Sequence, residues 1–296
     1  MSLSIEKPRQ IAGIKFANAL MNGAYINSKT LKDAQNLALS ASGAIVMGSI
    51  SVKPRSKNPG QNYWLHKNEL FSLNSYGMPN GGLPYFSDKL PKMVKLAHDA
   101  NKPLIANLIG FSNDEFKDLL TLAERSGADM AELNFGCPNL WDGDTQKRII
   151  SYHASLVRST LATIKRHKPR IKISVKISPL PPDILHEVAG VIVESGIVQF
   201  ITATNSYPNA AITSGANKNT RPSKKLVGLT GSALKPLSLG VVLQLRSILP
   251  RDIYIIGAGG ISTNTDVKDY LAAGATAVQI ATALKDRGPS VFEKIL

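Results

Sequence analysis

The sequence predicts a (β/α)8 barrel with long loops at the C-terminal face of its strands, and three observations carry that expectation. Eight short β-rich runs recur along 296 residues, most of them are apolar almost throughout rather than alternating, and helical patterns with clear start and stop residues stand between them. A run that is apolar at nearly every position is buried on both faces, as parallel strands covered by helices are. Eight β-then-α units fit one domain spanning 1–296, whereas an open doubly wound sheet has no need of eight repeats.

The first run covers residues 14–19 and the second 44–49, an Ala-Ile-Val-Met stretch ending at Gly48 and Ser49. The third, 104–109, leads into Ser112-Asn113-Asp114-Glu115, which reads as a capping box. Phe116, Leu119, Leu120 and Ala123 then follow at helical spacing, and Gly127 stops the helix. The fourth run, 130–134, precedes a helix from Ser151 to His167 that Pro169 ends. After the fifth, 172–177, Pro181-Pro182-Asp183 opens a helix with Leu185, Val188 and Ile192 inward and Gly196 at its close. The sixth run is 200–203 and the seventh 253–257; a helix over 265–273 closes at Gly274, and 277–281 is the eighth run.

Two segments break this rhythm. Residues 50–86 are rich in Pro, Gly and Asn, with a dense turn cluster at 75–82, and residues 205–235 are polar and Lys-rich. Loops longer than about 15 residues are uncommon unless functional or disordered. Both follow strands on the catalytic side of a barrel, so they are expected to act as a lid and a cofactor wrap.

Composition narrows the class. A hydrophobic content of 43% with 19% charged residues is ordinary for a soluble globular protein with a sizeable core. No apolar stretch approaches the roughly 18 residues needed to span a bilayer, the start Met1-Ser2-Leu3-Ser4 lacks a signal-peptide apolar region, and a single cysteine suits a reducing compartment. A cytoplasmic protein without membrane association is expected. The net charge of +14 is spread over predicted helices and is not interleaved with aromatics; its one dense run, residues 165–170, falls at a helix C-terminus, where cations are favoured anyway. A basic surface around an anionic cofactor and substrate is therefore expected in preference to a nucleic-acid interface.

Chemistry collects at the strand ends. Cys137, the sole cysteine, lies in Asn134-Phe135-Gly136-Cys137-Pro138-Asn139, directly after the fourth run. A lone thiol is commonly a small buried apolar residue, but here asparagines and a proline flank it at a position where barrels carry chemistry. Lys176 interrupts an apolar strand pattern and is expected to point into the barrel mouth toward an anion, since burying an unpaired charge is costly. The turns Gly257-Ala258-Gly259-Gly260 and Ala281-Thr282 follow the seventh and eighth runs, where barrels commonly bind phosphate through backbone amides. Asn74, Asn134, Asn139 and Asn205 each read alone as turn residues; together their amides suit a planar ligand with alternating carbonyl and N–H groups. The five histidines are scattered without ligand spacing, and no metal is expected.

With these residues placed, the chain resembles the dihydroorotate dehydrogenases, FMN-dependent (β/α)8 barrels of pyrimidine synthesis. The likeness covers nearly the whole sequence. It runs through Met21-Asn22-Gly23-Ala24, Asn58-Pro59, Asn74-Ser75-Tyr76-Gly77-Met78-Pro79-Asn80, the Cys137 string, Val175-Lys176 and Thr204-Asn205-Ser206. It continues through Gly228-Leu229-Thr230-Gly231, Ala233-Leu234-Lys235-Pro236, the Gly259-Gly260 turn and Gln279-Ile280-Ala281-Thr282. The asparagine turn and the N-x-x-C-P-N string are fairly specific, whereas the glycine loops are shared by many FMN barrels. A cysteine at the base position is similar to the soluble class; the membrane-associated class has serine there.

The resemblance implies roles. Cys137 would take the C5 proton of dihydroorotate while C6 delivers hydride to the flavin. Asn74, Tyr76, Gly77, Met78, Asn134, Asn139, Asn205 and Ser206 would hold the substrate. Gly23, Ala24, Gly48, Ser49 and Lys176 would contact the flavin, and Gly231, Gly259, Gly260, Ala281 and Thr282 would hold the FMN phosphate. Dihydroorotate and orotate, an electron acceptor such as fumarate and a homodimeric partner are implied with them. The chain also departs from the family. Gly48 stands where the soluble class has a lysine, leaving Lys53 or Lys57 as candidates to compensate; Lys57 replaces a glycine, an arginine usual after Asn58-Pro59 is missing, Tyr76 replaces a residue that is often methionine, and Ala281 stands where glycine is usual. Two other readings are a tRNA-modifying dihydrouridine synthase, against which the absence of a His-x-Arg motif counts, and a non-catalytic FMN-binding barrel.

Overall fold

The computed structural model describes residues 4–143, 145–212 and 224–296. Eight parallel strands surround the centre: β1 (Leu20–Asn22), β2 (Ile45–Ile50), β3 (Leu104–Leu108), β4 (Met130–Asn134), β5 (Lys172–Ile177), β6 (Phe200–Ala203), β7 (Tyr254–Ala258) and β8 (Ala277–Ile280). Their order is β1-β8-β7-β6-β5-β4-β3-β2, and the parallel bridge Met21↔Ala44 joins β1 to β2 and closes the barrel. The registers align the functional ends: Lys176 on β5 lies beside Asn134 on β4, and Gln279 on β8 beside Ala258 on β7.

Helices α1 (Leu31–Leu39), α2 (Gly82–Asp99), α3 (Asn113–Arg125), α4 (Ala154–His167), α5 (Pro182–Ser195), α6 (Lys235–Ile248) and α7 (Asn264–Ala272) stand between the strands, and α8 (Thr282–Arg287) and α9 (Val291–Ile295) follow β8. Their boundaries have local causes. The Ser112 hydroxyl accepts the Glu115 N–H at 3.2 Å, but the Glu115 carboxylate takes the Phe111 N–H at 2.7 Å, so the expected capping box forms only on its serine side. Gly196, at φ 67°, ends α5 in the left-handed conformation that a Cβ disfavours. The helix expected from Ser151 begins at Ala154, after a 3-10 turn over Ile150–Tyr152. Among the described residues, no helix is long and apolar enough to cross a membrane.

One strand expectation is corrected. The run at 14–19 is not the first barrel strand: Ile14–Phe16 pairs antiparallel with Arg9–Ile11 in a hairpin. Its pattern explains why. Ile14 and Phe16 are buried while Lys15 between them is exposed, the signature of a one-faced strand, whereas every residue of β1 is buried. Ile11, Ile14 and Phe16 pack on Ala44, Ile105, Met130, Phe200 and Ala277 and so plug the N-terminal end of the barrel.

The two long loops are also not independent. Tyr63–Leu65 and Ser72–Asn74 from the first join Val227–Thr230 and Tyr207–Ala210 from the second in one antiparallel four-stranded sheet. Residues 213–223 of the expected cofactor wrap lie outside the described residues. Strands of three or four residues within Pro- and Asn-rich sequence leave little periodicity to read, and each is specified by its partner from the other loop.

The barrel seam relies on a side chain. The fully buried amide of Asn22 donates to the Val46 carbonyl at 2.6 Å and accepts the Val46 N–H at 2.9 Å, standing in for a backbone ladder between β1 and β2. Asn22→Ala is expected to cost about 2–4 kcal/mol of unfolding free energy, because both buried groups of Val46 lose their partner. Urea titration measures it, and a loss under about 1 kcal/mol would show that the seam does not depend on this amide.

Candidate active site

The C-terminal ends of the strands and the four-stranded sheet enclose a cleft of about 1480 Å³ including its open mouth. Every site residue named from the sequence lines the cleft except Gly48. Gly48 is instead tied to the loop after β1, its N–H donating to the Ser28 carbonyl at 2.7 Å and its carbonyl accepting the Ser28 hydroxyl at 2.9 Å.

Beneath the cleft a charged network fills the upper barrel. Glu132 on β4 is fully buried, and it accepts from Asn107 Nδ2, Thr202 Oγ1 and Gln279 Nε2, each at 2.6 Å. Lys176 Nζ lies 3.9 Å from the same carboxylate and donates to Gln279 Oε1 at 2.6 Å. The lysine is thus buried at the floor of the cleft. Burial pushes its pKa down, while Glu132 and Cys137 oppose that shift. Both Lys176 and Glu132 carry the same mark in the sequence, a charge inside an apolar strand run, but only Lys176 is legible there as a site residue.

Cys137 is 7% exposed and lines the cleft, packed with Ile109, Leu140 and Met78. Burial pushes its thiol up to about 11; the Asn139 backbone N–H, Arg55, Lys29 and Lys176 pull the other way. The asparagines converge around it. Asn134 Nδ2 donates to Ser49 Oγ at 3.1 Å and Asn134 Oδ1 accepts from Asn205 Nδ2 at 3.0 Å. Asn139 Nδ2 donates to Asn74 Oδ1 at 2.5 Å, and Asn139 Oδ1 accepts the Gly228 N–H at 3.2 Å. These amides come from the end of β4, the loops after β4 and β6, and one strand of the overlying sheet, so only the closed tertiary structure collects them.

The other end of the cleft is a cradle of backbone amides. Gly259 (φ 126°) and Gly260 (φ 70°) press against α6 and the turn before it: a Cβ on Gly259 would meet Ser238 Oγ at 2.3 Å, and one on Gly260 would meet Lys235 Cβ at 2.7 Å. The N–H groups of Gly259, Gly260, Ala281 and Thr282 donate to no acceptor among the described residues. Such amides suit an anion. Ala281 fits there without strain because its φ is −121°. Lys285 and Arg287 also line this end, paired with Asp286 at 3.4 Å and Glu69 at 3.7 Å.

Lys29 was not foreseen. Lys53 and Lys57 are exposed and stand outside the cleft, whereas Lys29, from the loop between β1 and α1, lines it. In sequence it reads as one of many surface lysines, because nothing local marks a loop residue that folds inward. Among the described residues, no group of three or more His, Cys, Asp or Glu side chains is arranged to hold a metal ion.

Comparison with known proteins identifies the family. Residues 8–296 match the family model described as dihydroorotate dehydrogenase. The "Probable dihydroorotate dehydrogenase A (fumarate)" of Streptococcus pneumoniae serotype 4 is 31% identical over 290 residues, which is 97% of this chain and 89% of that protein. Crystal structures of DHODH from Eimeria tenella, ligand-free and in complex with ferulenol, align with TM-scores of 0.81 and 0.80 at 22% identity. They cover 99% of this chain and 86% and 83% of their own, and at that identity they speak for the barrel fold alone. With a family match that spans the barrel from its floor hairpin to its last helix, the chain belongs to the dihydroorotate dehydrogenase family.

Proposed function

We propose that this protein oxidises dihydroorotate to orotate, with FMN as its cofactor and Cys137 as the base. One observation carries the reading: a thiol, a buried ammonium and a set of amide side chains line one cleft, with a backbone-amide cradle at its other end. The cradle fits a phosphate, since Gly259 and Gly260 admit no Cβ and their amides are unclaimed. Gly231, Gly259, Gly260, Ala281 and Thr282 would hold the FMN phosphate, and Gly23, Ala24, Ser49 and Lys176 the flavin. The chemistry FMN supplies there is acceptance of a hydride.

The chain's own residues do the rest. Cys137 removes the C5 proton as the C6 hydrogen leaves with its electron pair, so that a C5=C6 double bond forms. Asn74, Asn134, Asn139 and Asn205, with Ser206, hold the pyrimidine edge, exchanging their mutual hydrogen bonds for bonds to the ligand. The N–H groups of Gly77 and Met78, which donate to no acceptor among the described residues, face the carboxylate together with Tyr76. Lys176, anchored through Gln279 and Glu132, offsets negative charge gained by the cofactor. Fumarate as the final acceptor is supported by the name of the streptococcal relative. A homodimer in the cytoplasm, each chain acting as one domain over 1–296, completes the proposal by resemblance.

Anaerobic addition of dihydroorotate is expected to bleach the flavin of the purified protein, and fumarate to restore its colour. Cys137→Ser is expected to slow bleaching at neutral pH by about 10²–10⁴-fold, the range of a lost general base. Near wild-type rates would remove Cys137 from that role. A thiol raised to about 11 is mostly protonated at neutral pH, so its basic form grows as pH rises. The bleaching rate is therefore expected to climb with pH from 6 toward 9 by about tenfold per unit at most, as stopped-flow absorbance would record. A flat profile over that range would contradict a thiol base.

A further inference from the structure

Lys29 carries a charge that the structure leaves unanswered. Its Nζ lines the cleft and donates to the Pro79 carbonyl at 2.7 Å, and among the described residues no carboxylate lies within ion-pair distance of it. Asp33 is close in sequence but committed elsewhere, its Oδ2 accepting the N–H groups of Lys29 and Thr30 at 3.0 and 2.9 Å where α1 begins. The other cleft cations each have a carboxylate: Lys176 has Glu132, Lys285 has Asp286 and Arg287 has Glu69. An ammonium has three donors, and one neutral carbonyl answers only one of them. Burial pushes its pKa down to about 8, against the pull of Cys137 and Asp33, so the group lacks an anionic partner in a poorly solvated place.

Its surroundings point to where that partner belongs. Pro79 directly follows Gly77 and Met78, whose left-handed backbone (φ 77° and 60°) sets their N–H groups apart from any acceptor among the described residues. Met78 packs with Cys137, so the ammonium, these amides and the thiol share one side of the cleft. The end of β2 adds no cation here, because a Cβ on Gly48 would meet the Asn107 carbonyl oxygen at 2.4 Å.

We infer that Lys29 is the specificity-determining cation of the site, pairing with the carboxylate of the ligand and so selecting carboxylated pyrimidines over neutral ones. The inference rests on the substrate proposed above and deepens it. The paired charge replaces a contact with a neutral carbonyl, and a charge-assisted hydrogen bond of this kind alters affinity by about 10- to 100-fold.

Calorimetric titration of FMN-loaded protein with orotate, and separately with uracil, tests it without recourse to turnover. Wild type is expected to bind orotate much more tightly than uracil. Lys29→Gln and Lys29→Met are both expected to weaken orotate by about 10- to 100-fold and to leave uracil within about twofold, while Lys29→Arg keeps most of the orotate affinity. Unchanged orotate affinity in both neutral variants overturns the role of Lys29 and leaves the substrate reading standing. Equal losses for orotate and uracil also overturn it, since they indicate a distorted cleft rather than a lost ion pair. A wild-type protein that ignores orotate overturns the substrate reading and this inference together.

Discussion

A carboxylate with no access to water organises the upper half of this barrel. Glu132 sits at the centre of hydrogen bonds from β3, β6 and β8, with the Lys176 ammonium of β5 at 3.9 Å. A buried ion pair gains little over an apolar core, but leaving one member unpaired costs about 3–5 kcal/mol. The strands are thereby held to one arrangement: shift any of them and a buried polar group loses its partner. The lower half has no such device and is filled instead by Met21, Val46, Ile105, Met130 and Ile256 beneath the hairpin plug. The barrel is apolar where it needs only to be full and polar where it must aim a side chain.

That division reaches the chemistry through Gln279. Its amide donates to Glu132 and its carbonyl accepts from Lys176, so the lysine is positioned by an intermediary as well as by its counter-charge. Above it the amides of Asn134 and Asn205 are joined to each other, as are those of Asn139 and Asn74. Each of these polar groups satisfies another, which limits the cost of burying them. Asn74 lies on a strand of the overlying sheet and bonds across to Gly228 on the next, so the roof of the cleft and its asparagine-lined edge form one unit.

The arrangement of cations is a second theme. The chain carries a large excess of lysine, and most of it stays outside, as in the pairs of Lys92 with Asp88 and Lys95 with Asp99 on α2. Such exposed pairs are screened by water and contribute little to stability. Lys29 differs by location alone. The loop after β1 is drawn toward β2 by the bonds of Ser28 to Gly48, and this turns the next residue into the cleft. A glycine at the end of β2 and a lysine one loop earlier together leave the site with a cation on that side.

The sequence by itself determined the strands that are buried on both faces, because continuous apolar runs such as 130–134, 172–177 and 200–203 can be satisfied in few other ways. It also marked the strand ends where Cys137, Lys176 and the glycine turns stand, since a thiol, a charge and paired glycines are conspicuous against apolar neighbours. What only the tertiary structure decided were matters of contact between distant segments. The run at 14–19 became a plug because barrel closure left its one-faced pattern nowhere else to bury. The two long loops became one sheet because each supplies the other's hydrogen-bond partners. Lys29 entered the cleft, and Glu132 became the hub of its floor, for the same reason: the worth of a charge depends on what surrounds it, and those surroundings come from residues far away in the chain.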